Sequence, residues 1–280
     1  MPMMILISIL IIGMGNAFIQ SLGYIPALGL EEIGFQYYKE LLGNSNFFDS
    51  LALSTFICLI SSILSMILGV LICAAMVYRR TKKQGLHKMI RLPILIPHTV
   101  TALLVVLILS QSGFVARFFH VLGFVDAPSS FPNLIYHANG AGTILAYVWK
   151  QAPFVAYFTL SLMAAISDTL EEAAITLGAS PIKAFFAITL PLSLPNIMNA
   201  FFIIMTFSFS AYELPFLLGA TSPKALPVQA YIEYTHPDMR HRPYAMAMNG
   251  IIMIIVLLIS VGYFFLMNRK IGGMYDEKNK

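Results

Sequence analysis

Two ionisable residues interrupt stretches that are otherwise apolar, and chemistry is most readily sought there. Lys150 stands in YVWKQAPF (147–154) and Glu213 in SAYELPFLLG (210–219). A charge at the centre of a bilayer costs about 2.5–3.5 kcal/mol on insertion scales, so an intramembrane Lys or Glu marks a solute or ion path by default. Two readings of Lys150 stay open. Beside Trp149, its long stem can carry the ammonium outward to the interface, or it can face a path. Glu213 is flanked by Tyr212 and Pro215, with Ser208 and Ser210 a turn earlier. Pro215 is expected to break the helix and free backbone groups, which suits a water-lined cavity. Tyr212 and Glu213 are predicted to line it. His98, just after Pro97, reads as a bundle contact rather than a ligand.

Other chemistries lack their residues. A catalytic centre needs clustered acid–base or metal-binding groups, and none is visible. Cys58 and Cys73 lie 15 positions apart in one apolar run, so they read as two buried thiols that do not face each other. EYTHPDMRHRP (233–243) gathers Glu233, His236, Asp238 and His241 without regular ligand spacing and reads as a loop. No Gly-rich Walker motif with Lys-Ser/Thr is present, so the chain does not bind ATP in that manner. The sequence therefore predicts a non-enzyme with no cofactor of its own.

The elements that must position these residues are membrane spans. The 280 residues are 58% hydrophobic and 11% charged, with a mean hydropathy of +0.79, whereas soluble domains carry about 25% charged residues. The basic residues are not spread as a nucleic-acid-binding face requires. A helix needs about 20 apolar residues to cross the hydrocarbon core. Charge-free windows of that length give six spans, about 3–23, 50–78, 92–113, 141–166, 196–218 and 244–268. The expected fold is an all-α polytopic membrane protein with lipid around it. The first run lacks a basic n-region and a clear cleavage site, so it reads as a retained span, not a signal peptide. The loops at 24–48, 117–140 and 219–243 carry Pro, Gly, Asn and Asp and read as short surface structure. No internal repeat is visible.

Lys and Arg in short loops set orientation. Arg79, Arg80, Lys82, Lys83, Lys88, Arg91, Lys183, Arg269, Lys270, Lys278 and Lys280 fall on one side, eleven of the 17 basic residues. Lys39, Arg117, Lys150, Lys224, Arg240 and Arg242 fall on or near the other. The asymmetry puts both termini and the 168–195 segment in the cytoplasm.

That segment contains EEAAITLGASPIKAFFAITLPLSLP (171–195), between the fourth and fifth spans. Asp168 and Glu171 fit a capping box, and Glu171 and Glu172 would sit in a first turn, where the helix dipole favours acid. Leu170, Ala173, Ala174 and Leu177 share one helical face, Ala-rich and expected to be buried. Gly178 follows where a left-handed C-terminal cap is wanted. Ser180 and Pro181 then open a second short helix, with Ile182, Phe185 and Phe186 on its apolar face. Pro191 and Pro195 are expected to end it. A connector needs none of this; two caps and an apolar face predict a docking element.

The same residues resemble the EAA loop of binding-protein-dependent ABC transporter permeases. The family pattern is Glu-Ala-Ala, three residues, Gly, nine residues, Ile, one residue, Leu-Pro. Here it reads Glu172-Ala173-Ala174, Gly178, Ile188 and Leu190-Pro191, with both gaps intact. RLPILIPHTV (91–100), YVWKQAPF and SAYELPFLLG are similar to the third, fourth and fifth spans of such permeases, and the first 45 residues match least. The resemblance implies a type I importer permease fold in a bacterial plasma (inner) membrane. It implies a coupling loop carried by Glu171, Glu172, Ala173, Ala174, Gly178, Ile188, Leu190 and Pro191, seated on a separate ABC ATPase homodimer that binds ATP and Mg. It further implies a second permease subunit, identical or homologous, and an extracytoplasmic solute-binding protein that touches the outer loops. The 211–231 region is similar to the branch that moves polyamines, ferric iron, thiamine and phosphonates, and a lone interior Glu suits a cation such as a polyamine. The competing reading is an ATPase-independent secondary transporter or channel. It requires ion-coupling residues in the membrane and, often, an inverted repeat.

Overall fold

The computed structural model describes residues 2–78 and 84–276. Arg79, Arg80, Lys82, Lys83, Lys278 and Lys280, part of the basic asymmetry, lie outside the described residues. The helices in chain order are α1 (Pro2–Ser21), α2 (Gln36–Leu42), α3 (Ser45–Tyr78), α4 (Gln84–Leu95), α5 (His98–Leu109), α6 (Phe114–Val121) and α7 (Ala141–Ile166). They continue with α8 (Glu172–Thr176), α9 (Pro181–Ala184), α10 (Leu190–Ser210), α11 (Glu213–Leu218), α12 (Leu226–Tyr234) and α13 (Arg242–Asp276). Among the described residues, six helical stretches are long and apolar enough to cross a membrane. The only β pairing described is one isolated bridge, Ile25 to Leu30. The fold is an all-α polytopic membrane protein.

The spans pack through small residues. Along α3, Ser50, Ser54, Ser61, Ser62, Ser65 and Gly69 are buried. In lipid there is no hydrophobic force between apolar helices, so close backbone approach and interhelical hydrogen bonds do the holding. Gly69 marks the tightest approach to α7: a Cβ there would lie 2.6 Å from the Val155 Cβ and 2.7 Å from the Ala152 carbonyl oxygen. Three buried clusters follow the α3 axis. One joins Phe47 and Cys58 to Met205, Phe209, Leu226 and Met248. A second joins Ile57 to Ala102, Tyr147 and Leu214. A third joins Cys73 to Ala156, Met163 and Ile197. The two thiols thus belong to separate clusters, and both are free. Two spans are not continuous. The third is divided between α4 and α5, and the fifth between α10 and α11.

Candidate translocation path and the 168–195 loop

Both interruptions follow from proline. A proline ring inside a helix clashes with the carbonyl four residues back and removes one hydrogen bond. Pro97 has Pro93 at that distance, and the chain leaves helical geometry at Ile96–Pro97, where Pro97 has ψ 151°. Pro215 has Ala211 at that distance, and Ala211 is extended, with ψ 130°. The break predicted around Pro215 therefore exists, but it falls before the proline, and Pro215 itself lies inside α11.

One face of α7 satisfies the carbonyls that these breaks release. The Lys150 Nζ donates to the Pro93 carbonyl at 3.2 Å and also to the Ile96 carbonyl. The Tyr147 hydroxyl donates to the Ala211 carbonyl at 3.4 Å. Gln151 Nε2 donates to Ser208 Oγ at 2.5 Å, and Ser65 Oγ donates to Gln151 Oε1 at 3.4 Å. Positions 147, 150 and 151 are spaced i, i+3 and i+4, so they share one stripe of the helix. Lys150 does not reach outward to the interface. It is 9% exposed and caps the C-terminal end of α4, where a helix dipole favours a cation. Between the breaks, His98 Nδ1 lies 3.0 Å from Glu213 Oε2, and the His98 ring stacks on Phe207 at 5.5 Å.

A cavity of about 420 Å³ opens beside this stripe, lined by His98, Tyr147, Lys150 and Gln151 against Ile94, Phe154 and Phe207. A second, of about 370 Å³, is lined by Ser210, Tyr212, Tyr231, Tyr234 and Asn249. The predicted path residues are therefore not gathered into one wall. Lys150 faces the first cavity and Tyr212 the second, where it stacks on Tyr231 at 4.7 Å. Glu213, next in sequence to Tyr212, touches the first cavity's wall through His98. His98 is the bundle contact the sequence suggested, but its partner, and the roles of Tyr147 and Gln151, escaped the sequence reading. Their signal was present: polar residues three or four apart around Lys150, and prolines four residues beyond Pro93 and Ala211. The 233–243 loop closes on itself, with His241 Nδ1 2.6 Å from Glu233 Oε2 and His236 stacked on His241 at 3.7 Å.

The 168–195 loop departs from its expected form. Asp168 is not an N-cap, because α7 never stops before it. The helix runs through a π turn, Ser167–Glu171, directly into α8. Pro191 does not end the second arm either. α9 continues through a second π turn, Phe185–Thr189, into α10, with Pro191 at the start of α10 and Pro195 inside it. The wide turn lies where the Pro191 ring would otherwise press on the carbonyl four residues back. The two arms are thus extensions of the fourth and fifth spans, and only the tip turns.

At the tip the sequence reading agrees with the geometry. Gly178 has φ +94°. Its N–H reaches the Ile175 carbonyl at 2.9 Å, and the Ala179 N–H reaches the Ala174 carbonyl at 3.0 Å, a Schellman pair. Ser180 caps α9 by accepting from the Lys183 N–H at 3.4 Å, with Pro181 as the first helical residue. The Ala-rich face is not buried within the chain. Ala173 is exposed and Ala174 half-buried, while Leu177 is 89%, Ile182 70% and Phe186 62% exposed. Glu172 is exposed in the first turn of α8; Ile188 and Leu190 are half-buried, and Pro191 is exposed. Glu171 is the exception. It is buried, and the Thr189 hydroxyl donates to its Oε2 at 2.5 Å.

Six membrane-length helical stretches, with helix breaks at Ile96–Pro97 and Ala211–Tyr212 beside largely apolar cavities that carry a few polar groups, define a polytopic membrane protein. The comparisons narrow the class. Residues 64–273 match the family described as "Binding-protein-dependent transport system inner membrane component", and the chain belongs to that family. It is 28% identical over 179 residues to the ferric transport system permease protein FbpB of Actinobacillus pleuropneumoniae, covering 64% of this chain and 25% of that protein. It is 28% identical over 199 residues to the putrescine transport system permease protein PotI of Escherichia coli strain K12, covering 70% of this chain and 65% of that protein. Each alignment thus spans less than two thirds of the relative. A crystal structure of a bacterial alginate ABC transporter, in complex with an alginate pentasaccharide-bound periplasmic protein, matches in fold. Its TM-score is 0.76 at 20% identity, over 95% of this chain and 93% of that one.

Proposed function

We propose that the chain is the membrane-spanning permease subunit of an ATP-driven importer. It supplies half of the solute path and couples to a separate ATPase through residues 168–195. The observation that carries this is the loop tip. Leu177, Ile182 and Phe186 stand exposed on a glycine turn that joins two helices continuous with spans. Exposed apolar residues on a capped, polar-flanked tip suit a protein partner. Because both arms run on into spans, a push at the tip reaches the bundle directly.

The expected partners are an ATPase pair that binds ATP and Mg, a second permease subunit, identical or homologous, and an extracytoplasmic solute-binding protein. The expected orientation puts both termini and the loop in the cytoplasm of a bacterial inner membrane. The path residues are assigned as Lys150 and Glu213 with His98, and Tyr212 beside them. The solute is a small polar molecule. Similarity to PotI supports a polyamine, but Glu213 already pairs with His98 and Lys150 stands nearby, so the cavity wall does not by itself select a cation. Family membership favours this reading over an ATPase-independent transporter.

Purification of the chain from its own membrane should yield a Walker-motif ATPase and a second permease in fixed ratio. Solute uptake by vesicles that hold this chain and no ATPase would overturn the proposal. Affinity measurements on the cognate solute-binding protein, with putrescine and ferric ion as probes, decide between those two solutes.

A further inference from the structure

Glu171 and Thr189 are 18 residues apart and meet at the base of the 168–195 loop. Glu171 is 3% exposed and Thr189 0%. Neither can touch a partner's surface or a solute in the cavities, so the role of this pair lies inside the chain. Three features set it apart.

The hydroxyl is used unusually. Thr55, Thr101, Thr159, Thr206 and Thr235 each donate to the carbonyl four residues back, the local option for a helical threonine. Thr189 instead donates across to the other arm. The acceptor is a buried carboxylate, and a buried charge without a donor is among the costlier defects a fold can hold. The two residues also end the two π turns, Ser167–Glu171 and Phe185–Thr189, which pack against each other. Each π turn adds a residue and rotates the side chains beyond it by about 100° relative to an unbroken α-helix. Those two rotations bring Glu171 and Thr189 into the space between the arms.

Beyond this point the arms are short. Past it, α8 has only five residues and α9 four before the tip. The tip therefore takes its position from its base. We propose that the Glu171–Thr189 hydrogen bond is a latch that ties both arms together, so that a displacement at the tip reaches the fourth and fifth spans as one. Glu171 and Thr189 are positioning residues in this role, which rests on the coupling reading above.

The test uses the complete transporter with its ATPase and solute-binding protein in lipid vesicles. A reporter Ser210→Cys on the α10 end reads the outer side of the bundle through an impermeant maleimide. Its labelling rate with ATP and vanadate is divided by the rate without nucleotide, and ATP hydrolysis is measured alongside. A hydrogen bond to a charged group favours the bonded form by about tenfold or more, so Thr189→Val should lower the nucleotide-dependent labelling ratio by about that factor while hydrolysis persists. Thr189→Ser, which keeps the hydroxyl, should restore it. The double variant Glu171→Leu with Thr189→Val removes the unpaired carboxylate. It should accumulate in the membrane normally and still fail to couple, separating the latch from simple stability.

A wild-type ratio in Thr189→Val or in the double variant would overturn the latch, as would failure of Thr189→Ser to rescue. Gly178→Val tests the underlying reading. If it leaves the ratio intact, tip coupling falls and the latch with it. If it abolishes the ratio while Thr189→Val does not, only the latch falls.

Discussion

The turn at Gly178 permits a quantitative prediction. Its φ of +94° lies in the left-handed region, and an L-residue there costs roughly 1–2 kcal/mol. Apart from its two chain neighbours, no atom of the described residues lies within 4 Å of a Cβ built on Gly178. The cost of alanine is therefore conformational, and valine adds the strain of a β-branched side chain at positive φ. One to two kcal/mol corresponds to a factor of about 5–30 in a two-state population. Gly178→Ala should thus lower the equilibrium constant for holding the Schellman turn by about that factor, without unfolding a bundle whose buried clusters lie elsewhere. Gly178→Asn should be milder, since asparagine tolerates the left-handed region. The assay is ATPase capture and ATP-driven uptake at matched membrane levels, across wild type, Asn, Ala and Val. If Val falls below Ala, the excess combines the added strain of a β-branched residue at positive φ with any contact on the partner's surface. Wild-type capture and uptake in both Ala and Val would refute the reasoning and reduce the loop to a linker.

Three further outcomes are expected. Cysteine at Ser222 should react with an impermeant thiol reagent from outside intact cells, and cysteine at Leu177 should not; the opposite pattern would invert the orientation. Gly69→Leu should lower the thermal midpoint of the purified protein, since its side chain would start 2.6 Å from the Val155 Cβ, and overpacking costs about 1–3 kcal/mol; an unchanged midpoint would mean that α3 and α7 are not held at this separation. Lys150→Glu should be more damaging than Lys150→Met, measured as the yield of folded protein, because a carboxylate cannot donate to the Pro93 and Ile96 carbonyls and adds repulsion where methionine only leaves them unpaired; equal yields would remove the capping role.

The sequence made much of this legible, and its misses share a cause. Apolar length and charge placement announced the membrane spans. The tip was legible because Gly178, Ser180 and Pro181 act over four or five residues. Asp168 misled for the opposite reason. A capping residue works where the chain arrives non-helical, and here it arrives as a helix already propagating from the fourth span. Pro191 misled because a π turn can absorb a proline that would otherwise end a helix. Lys150 had two readings from local sequence, and neither was a cap on another helix, because its acceptors lie on α4, more than 50 residues earlier. Tyr147 and Gln151 escaped because they look ordinary singly, and their shared stripe gains meaning only beside two proline breaks. Ala173 was expected to be buried because amphipathic patterns are read as inward-facing; here the same pattern faces away from the chain.

α1 packs chiefly along α13 and presents most of its length outward. Its neighbour thus lies at the far end of the described residues. Until α13 is made, α1 is without that neighbour among lipid tails. It can stand there because a helix satisfies its own backbone groups. The family match begins at residue 64, beyond α1. The spans of the family match thus pack against one another with little help from α1.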